Sequence, residues 1–430
     1  MSALDPRPRP STPPKGSPEP TRNPGHELPV GRRVAYWRGR RNLSQQHLAD
    51  RLGKSKSWVE KVERGARRLD RFSVLHEIAE ALRIDVQQLV STESKRMGGR
   101  GRIETEGIRA ALERYAVPGP RRDGEPNPPE LPELAKAVNH AWLTCQRSGY
   151  DSLARSLPRL ILDAQASDGL YHDPEAAHLL AQAYQIASAV LLKLGEAELA
   201  WLAADRSTAV AARADDPLLV GTATGRAGGA LLALGRPGSA LAAHEQAAHR
   251  LAPGGEELGG TEPTGPARLS VRGWLFLQGA LAVARLGNAA RARELLQAAE
   301  GAANALGTDQ DRYWTSFGPT NVRLHRIAAA VELGEGGHAI EIHTRIDPRD
   351  LGGLPPERRA QHLLDLARAY LQTGDTVRAG RALVDGERVA PAEIRYRPAA
   401  RATMTDLLRA IGGTPPGPVP ELAAHMGVTI

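Results

Sequence analysis

The sequence predicts an all-α protein with two folded parts, and three observations carry that prediction. Aromatic residues make up only 4% of the 430-residue chain, while Ala, Leu, Arg and Gly dominate; sheets lean on β-branched and aromatic side chains, so this composition favours helices. Short, capped, amphipathic segments follow one another closely between Pro29 and Thr92. From about Glu133 to Gly412 the chain is Ala/Leu-rich and repeats one glycine–alanine spacing. The length suffices for two or more cored domains.

Flanking and linking segments follow from composition. Residues 1–29 hold nine prolines and no apolar stretch, which predicts a disordered arm and not a signal peptide. Gly98–Gly101 and Pro118–Pro132 bracket one helical stretch, Glu104–Tyr115, so residues 93–132 are expected to be a linker with one short helix. Residues 413–430 are expected to be a tail. The single cysteine, Cys145, excludes an internal disulfide framework and a Cys-rich zinc site and fits a reducing, cytoplasmic setting. No run of 18 apolar residues occurs, so neither a membrane span nor a membrane partner is expected.

Charge concentrates in the first folded part. Leu28–Ile103 carries 18 Lys/Arg against 8 Asp/Glu, a balance of +10, in a chain whose total is +7. A compact basic segment in an otherwise mildly acidic protein is the electrostatic footprint of polyanion binding.

Helix signals within residues 30–92 come in order. Val30–Arg41 is a basic helix with Val34 and Trp37 inward; Ser44 can cap Gln45–Leu52, whose inner positions are Leu48, Ala49 and Leu52; Gly53 suits a left-handed stop. A third helix runs to about Arg64 before Gly65. Ser55 is preferred as its cap, although Ser57 with Glu60 also spells a capping box. Arg71–Leu82 and Val86–Val90 follow, preceded by Asp70 and Asp85 as caps. In the third helix Trp58, Val59 and Val62 form an apolar stripe, while Ser57, Glu60, Lys61 and Arg64 recur at i, i+3, i+4 and i+7 on another face, with Lys56 at its tip. Such a helix can dock by one stripe and present donors and acceptors to a major groove.

The string Leu43-Ser44-Gln45-Gln46-His47-Leu48-Ala49-Asp50-Arg51-Leu52-Gly53, followed by Val59, Val62, Glu63 and Gly65, closely resembles the lambda-repressor/Cro-type (xenobiotic-response-element) helix-turn-helix family. The resemblance implies a five-helix domain that binds double-stranded DNA. It implies a phosphate contact for Gln45 and base-edge contacts for Lys56, Ser57 and Lys61; Glu60 shares their face. Lys56 stands where glutamine is common, which shifts the expected contact from adenine to guanine O6/N7. Ser55, Arg64, Arg67 and Arg68 become candidates for phosphate contacts. Arg38 and Glu63 match an ion pair between the first and third helices seen in parts of the family.

Six glycines then recur in one context: Gly149, Gly195, Gly235, Gly287, Gly334 and Gly374. Five residues after each stands an alanine (Ala154, Ala200, Ala240, Ala292, Ala339, Ala379). Seven residues before each lie Trp142, Ser188, Gly228, Ala280, Ile327 and Ala367, mostly small. The glycine would end one helix, and the alanine would let the next approach it closely. The pattern resembles tetratricopeptide repeats, although the spacings of 46, 40, 52, 47 and 40 residues exceed that family's usual 34; Pro253–Pro266 reads as one of the loops filling the excess. An α-solenoid of such hairpins is expected over 133–412, with Thr403–Ile411 as its capping helix.

No enzyme signature with a mechanism is present, and neither a cofactor nor a metal is expected. There is no His-Glu-x-x-His; His172 and His178 are six apart and do not share a helix face; Gly334–Gly337 lies in a repeat turn; and Cys145 sits beside Trp142 and Leu143 as inert core. The two modules in this order resemble cytoplasmic bacterial regulators whose array dimerises and, in several groups, binds a signalling peptide. That implies a transcription regulator acting as a homodimer with a peptide or small-molecule effector; the alternative is a ligand-free dimerisation or docking scaffold. Groove-facing positions, taken ten or thirteen residues before the repeat glycines, hold Asn139, Gln182, Gln185 and Asn321.

Overall fold

The computed structural model describes residues 30–41, 43–65, 72–82, 103–114, 127–252, 265–413, 415 and 417–428. The chain divides into two units, Met1–Gly99 and Arg100–Ile430. Both are helical, and among the described residues the only β feature is one isolated bridge, Gln310 to Phe317.

The first unit contains α1 (Val30–Arg40), α2 (Gln45–Leu52), α3 (Lys56–Glu63) and α4 (Phe72–Leu82). Ser44 Oγ accepts from His47 N at 3.1 Å, and Ser55 Oγ accepts from Trp58 N at 3.1 Å, so Ser55 rather than Ser57 caps α3. Gly53 ends α2 at φ 61°. Val34, Leu48, Ala49, Val59, Val62, Ile78, Ala79 and Leu82 are buried together, with Trp37, Leu52 and Trp58 packed against them. Gly31 lets α1 lie directly on the end of α3: a Cβ there would fall 2.0 Å from the Val62 carbonyl oxygen. The expected helix Val86–Val90 and the caps Asp70 and Asp85 lie outside the described residues.

Among the described residues the second unit is an array of six helical hairpins: α6 (Leu131–Gln146) with α7 (Tyr150–Tyr171), α8 (Pro174–Leu194) with α9 (Ala197–Ala211), α10 (Pro217–Ala233) with α11 (Pro237–Arg250), α12 (Pro266–Arg285) with α13 (Ala289–Leu306), α14 (Pro319–Glu332) with α15 (Gly336–Thr344), and α17 (Pro356–Gln372) with α18 (Thr376–Val389). A short helix, α16 (Pro348–Gly352), precedes the last pair; α5 (Glu106–Glu113) precedes the first, and α19 (Pro391–Arg395), α20 (Pro398–Ile411) and α21 (Val419–His425) follow. Gly195, Gly235, Gly287, Gly334 and Gly374 adopt φ of 74–82°, where a side chain would be strained. The partner alanines are all buried. The first hairpin departs from the pattern: Ser148, not Gly149, takes the left-handed turn at φ 60°.

Three boundaries differ from the sequence expectation. The helix assigned to the linker, α5, buries Ile108, Ala111 and Leu112 in the same core as α6, α7 and α8. An isolated eight-residue helix is marginal, and burying a Leu or Ile side chain contributes roughly 1.5–3 kcal/mol, so docking decides. The segment expected as a tail forms α21, which buries Val419, Leu422, Ala423 and Met426 against the final hairpin. The capping helix begins at Pro398, five residues before Thr403. Most of the loop Pro253–Pro266 lies outside the described residues.

The first helices of successive hairpins stack side by side, and the last of them, α17, returns to touch the first, α6. The inner helices therefore close a circuit instead of leaving an open groove. Buried polar contacts seal the closure. Tyr150 Oη donates to Glu393 Oε1 at 2.7 Å, Arg397 Nη1 reaches Glu393 Oε2 at 2.9 Å, and Lys193 binds both Glu357 and Glu393. Burial alone would raise the Glu393 carboxyl, but Lys193 and Arg397 hold it down at about 2.

Candidate functional site

Two regions gather polar side chains with a shared direction: the outer face of α3 in the first unit and the cavity at the centre of the array.

In the first unit, Arg38 and Glu63 meet in the ion pair that the family resemblance implies. Arg38 Nε and Nη2 donate to the two Glu63 carboxylate oxygens at 2.6 and 3.0 Å, and Nη1 donates to the Leu43 carbonyl at 2.8 Å. The fork ties α1 to α3, with Glu63 buried and Arg38 half-buried. Gln45 joins it by donating Nε2 to Glu63 Oε2 at 2.7 Å. The carboxamide expected on a phosphate thus gives one N–H to this internal network and keeps a second donor.

Helix α3 docks through Val59, Val62 and Glu63, while Ser55, Lys56, Ser57, Lys61 and Arg64 are all exposed. Glu60 is half-buried on that face and lies 3.4 Å from Arg64. The structure thus brings Lys56, Ser57, Glu60, Lys61 and Arg64 onto one short helix end and its flank. Arg67 and Arg68 lie outside the described residues.

The array's cavity has a volume of about 260 Å³ and takes side chains from all six inner helices. Its lining follows a register. Positions two, six, nine and thirteen residues before the turn glycine recur as Lys193, Arg285 and Glu332, then Ala189, Leu281, Ala328 and Arg368, then Arg226, Gln278, His325 and Asp365, then Trp274 and Gln361. Spacings of four, three and four keep such residues on one helix face. Trp142 and Gln146 obey the same register once Ser148 is taken as the turn residue.

Aromatic rings and cations share this cavity. Trp142 and Trp314 stack with centroids 5.5 Å apart and planes 14° from parallel. The Arg226 guanidinium lies 5.3 Å from the Trp142 ring and 5.2 Å from the Trp274 ring, as a cation over π faces. Trp314 arrives on a strap between α13 and α14, pinned where Gln310 N donates to the Phe317 carbonyl at 2.9 Å. Tyr313, Trp314 and Ser316 all hold φ of 47–57°. Non-glycine residues in that region cost of order 1–3 kcal/mol each and persist where their surroundings impose them. Burial lowers the Arg226 and Arg358 guanidiniums and takes His325 down to about 3, leaving a neutral ring whose Nδ1 sits 2.9 Å from the Asn321 carbonyl. Burial pushes the Cys145 thiol on the cavity wall up to about 12, so it is protonated.

The four carboxamides expected on the groove do not line this cavity. Asn139 is exposed on α6; Gln182 Oε1 accepts from Trp142 and Trp314 Nε1 at 3.0 and 3.2 Å; Gln185 is buried in α8; Asn321 donates Nδ2 to the Ser316 carbonyl at 2.8 Å. Three of the four therefore serve packing, with Gln182 bracing the tryptophan pair. A one-residue error, which turns a side chain by about 100° on a helix, accounts for Gln185, ten residues before Gly195. Gln182 and Asn321 fall on the thirteen-residue position and Asn139 nine residues before Ser148, yet Gln182 and Asn321 are held by hydrogen bonds and Asn139 is exposed away from the lining.

Among the described residues no helix is long and apolar enough to cross a membrane, and no group of three or more His, Cys, Asp or Glu is placed to hold a metal ion. Comparison with known proteins bears chiefly on the first unit. Residues 29–92 match a helix-turn-helix domain family. No curated protein matches the chain. Among solved structures, the chain is similar to Bacillus thuringiensis PlcR in complex with the peptide PapR7 and DNA, at 14% identity over 85% of this chain and 98% of that one; the TM-score is 0.30, a likeness too loose to carry an argument.

Proposed function

We propose that the protein is a sequence-specific DNA-binding transcription regulator, working in the cytoplasm as a homodimer, whose helical array takes an effector in its central cavity. The observation that carries the DNA-binding part is α3: its apolar and Glu63 side docks, and Lys56, Ser57, Lys61 and Arg64 are left exposed together. In this reading Lys56, Ser57 and Lys61 meet base edges, while Gln45, through its second N–H, Ser55, Arg64, Arg67 and Arg68 meet phosphates. The Arg38–Glu63–Gln45 network fixes the pitch of α3 against α1. One short helix per chain touches few bases, so useful specificity requires two half-sites about 10 bp apart, read by two copies. Enclosure by all six inner helices supports the sensor role, because a ligand there touches every hairpin and can favour one arrangement of the array over another.

Selection of binding sites from random duplexes by the full-length protein tests this reading. The expected motif is a pair of half-sites at that spacing. Lys56→Ala and Lys61→Ala are each expected to cost ~1–3 kcal/mol on the selected site and to relax the base preference, whereas Arg67→Ala weakens all sequences alike and flattens the salt dependence. The same motif from wild type and from the Lys56→Ala/Lys61→Ala double variant would rule out α3 as the reader. A single half-site bound by one copy would rule out the dimer.

A further inference from the structure

We infer that the central cavity of the array takes a small organic carboxylate, its flat apolar body among Trp142, Trp274 and Trp314 and its anionic end on Arg226 and Arg358. The inference rests on the proposal that this cavity is the effector site, and it names the chemistry of the effector.

The charges around the cavity leave two cations over. Glu332 is taken by Arg285 at 3.2 Å and Arg368 at 2.9 Å, and Asp365 lies 3.6 Å from Arg368. Glu357 is taken by Lys193, and Glu393 by Lys193 and by Arg397 at 2.9 Å. Among the described residues no carboxylate lies within ion-pair reach of Arg226 or Arg358. The fields of Glu357 and Asp311 reach Arg226, and those of Glu357, Asp365 and Glu393 reach Arg358, but none of these carboxylates bonds to either guanidinium. Asp311 is exposed and accepts from Gln146 at 2.6 Å and from the Ser316 amide at 2.9 Å. The Nε atoms of both arginines are buried without a hydrogen-bond partner. Arg226 keeps one long contact, Nη2 to the Trp314 carbonyl at 3.4 Å, and Arg358 faces the neutral His325 ring at 3.5 Å.

A shielded guanidinium with a buried, unpartnered N–H and no bonded counter-charge is disfavoured unless something completes it. A planar, forked guanidinium is best completed by a carboxylate or phosphate. Charge and walls decide between these. Desolvation cost grows with the square of the charge, and Glu332, Glu357 and Asp365 already line the cavity, so a monoanion enters more readily than a phosphate dianion. The indoles of Trp142, Trp274 and Trp314 all line the cavity and give a flat apolar group apolar walls to pack on. At about 260 Å³ the space falls just under the usual range for small-molecule pockets and suits a small acid or the last residue of a short peptide.

Calorimetry on the full-length protein tests the assignment with indole-3-acetate, its uncharged amide, phenyl phosphate, and short tryptophan-ended peptides with free or amidated C-termini. The acid is expected to bind at least tenfold more tightly than the amide and than phenyl phosphate. The free-carboxylate peptide shows whether a peptide end or only a free acid enters. Arg226→Gln and Arg358→Gln should each erase the acid-over-amide preference, while the melting temperature of the ligand-free protein holds or rises, because an uncompensated charge has been removed. Equal binding of acid and amide, a preference for phenyl phosphate, or no heat from any probe at millimolar concentration overturns the inference. So does a fall in melting temperature in Arg226→Gln with the preference intact, which marks a brace for Trp314. If the acid binds but DNA affinity does not change, the anion site stands and the sensor role falls; if DNA binding is normal and no acid binds, the anion site falls and the DNA-binding reading stands.

Discussion

Arg38 in the first unit and Arg226 in the array are both partly shielded guanidiniums, and they end differently. Arg38 has an acceptor for each of its three nitrogens, both oxygens of Glu63 and the Leu43 carbonyl, and Gln45 adds a third donor to the carboxylate. Arg226 has two indole faces, one long contact to a carbonyl and a buried Nε with nothing to donate to. The first cluster satisfies itself, so its role is to hold α1 and α3 in register. The second is satisfied only by something from outside. A buried charge with its partners built in therefore marks structure, and one without them marks a site.

The largest expected effect tests the first half of that contrast. Glu63→Ala removes the carboxylate and leaves Arg38 and Gln45 without their acceptor inside the first unit. Removing one member of a shielded pair costs ~3–5 kcal/mol, which is most of the stability of a domain this small. Hydrogen exchange of the α1–α3 amides in the full-length protein should show loss of protection there and none in the array. Replacing Arg38 and Glu63 together by packed apolar residues should cost much less. Unchanged protection in Glu63→Ala would remove the structural role of the pair.

A third solution to buried polarity appears at His244, which gives up its charge. Both ring nitrogens are buried without partners against Gly228, where a Cβ would fall 2.4 Å from the ring. Burial takes its pKa from 6.5 down to about 4, and His325 and His362 move the same way, to about 3. Above pH 6.5 folded and unfolded states are both neutral and nothing is lost. Below it the unfolded chain takes the protons first, so the stability of the array falls as pH drops from 6.5 towards 4. At ~1.4 kcal/mol per unit of pKa, His244 alone accounts for about 3 kcal/mol by pH 4. The Glu393 carboxyl adds to this only below its ordinary value of 4.5, so melting temperatures between pH 7 and pH 5 isolate the histidines. They should fall with pH, and less steeply in His244→Leu; a flat profile would show that these rings accept protons where they stand.

What the sequence disclosed and what it withheld divide along local and distant contacts. The limits of α2, the Ser44 and Ser55 caps, the stop at Gly53 and the five left-handed repeat glycines are set within a few residues of chain. The Arg38–Glu63 pair spans 25 residues and was legible only through the family resemblance. The return of α17 to α6 depends on contacts such as Tyr150 to Glu393, 243 residues apart, and no periodicity encodes it. Because the circuit closes, the groove becomes a cavity, and the strap that carries Trp314 onto Trp142 is visible only in three dimensions. Helix register alone does not select the lining. Gln182 and Asn321 fall on its thirteen-residue position and Asn139 lies nine residues before the Ser148 turn. Contacts with Trp142, Trp314 and Ser316, distant in sequence or carried by the strap, take Gln182 and Asn321 out of it, and Asn139 is exposed. The packing of α5 and α21 is not legible in sequence because their few apolar residues look too sparse for a core until a neighbouring surface is supplied.

The smallest expected effect lies on the outer face of α3, where the same ion types meet in water. Glu60 and Arg64 are 3.4 Å apart with side chains 46% and 62% exposed. An exposed i,i+4 pair contributes about 0.3–0.5 kcal/mol, so Glu60→Ala should leave the unfolding of the first unit almost unchanged, in contrast with Glu63→Ala three residues away. Its effect on DNA should be larger than its effect on folding. The substitution removes the one acid among Lys56, Lys61 and Arg64 and frees Arg64 for a phosphate, so affinity for an unrelated duplex should rise and its salt dependence steepen by about one counterion. On the selected site the sign depends on what Glu60 reads. A carboxylate that accepts from cytosine N4 specifies a base, and its loss would lower affinity there while affinity for unrelated DNA rises. Titrations at two salt concentrations, on the selected and an unrelated duplex, separate these outcomes. A stability loss above about 1 kcal/mol in Glu60→Ala would break the comparison, because partners in water would then count as much as partners in the core.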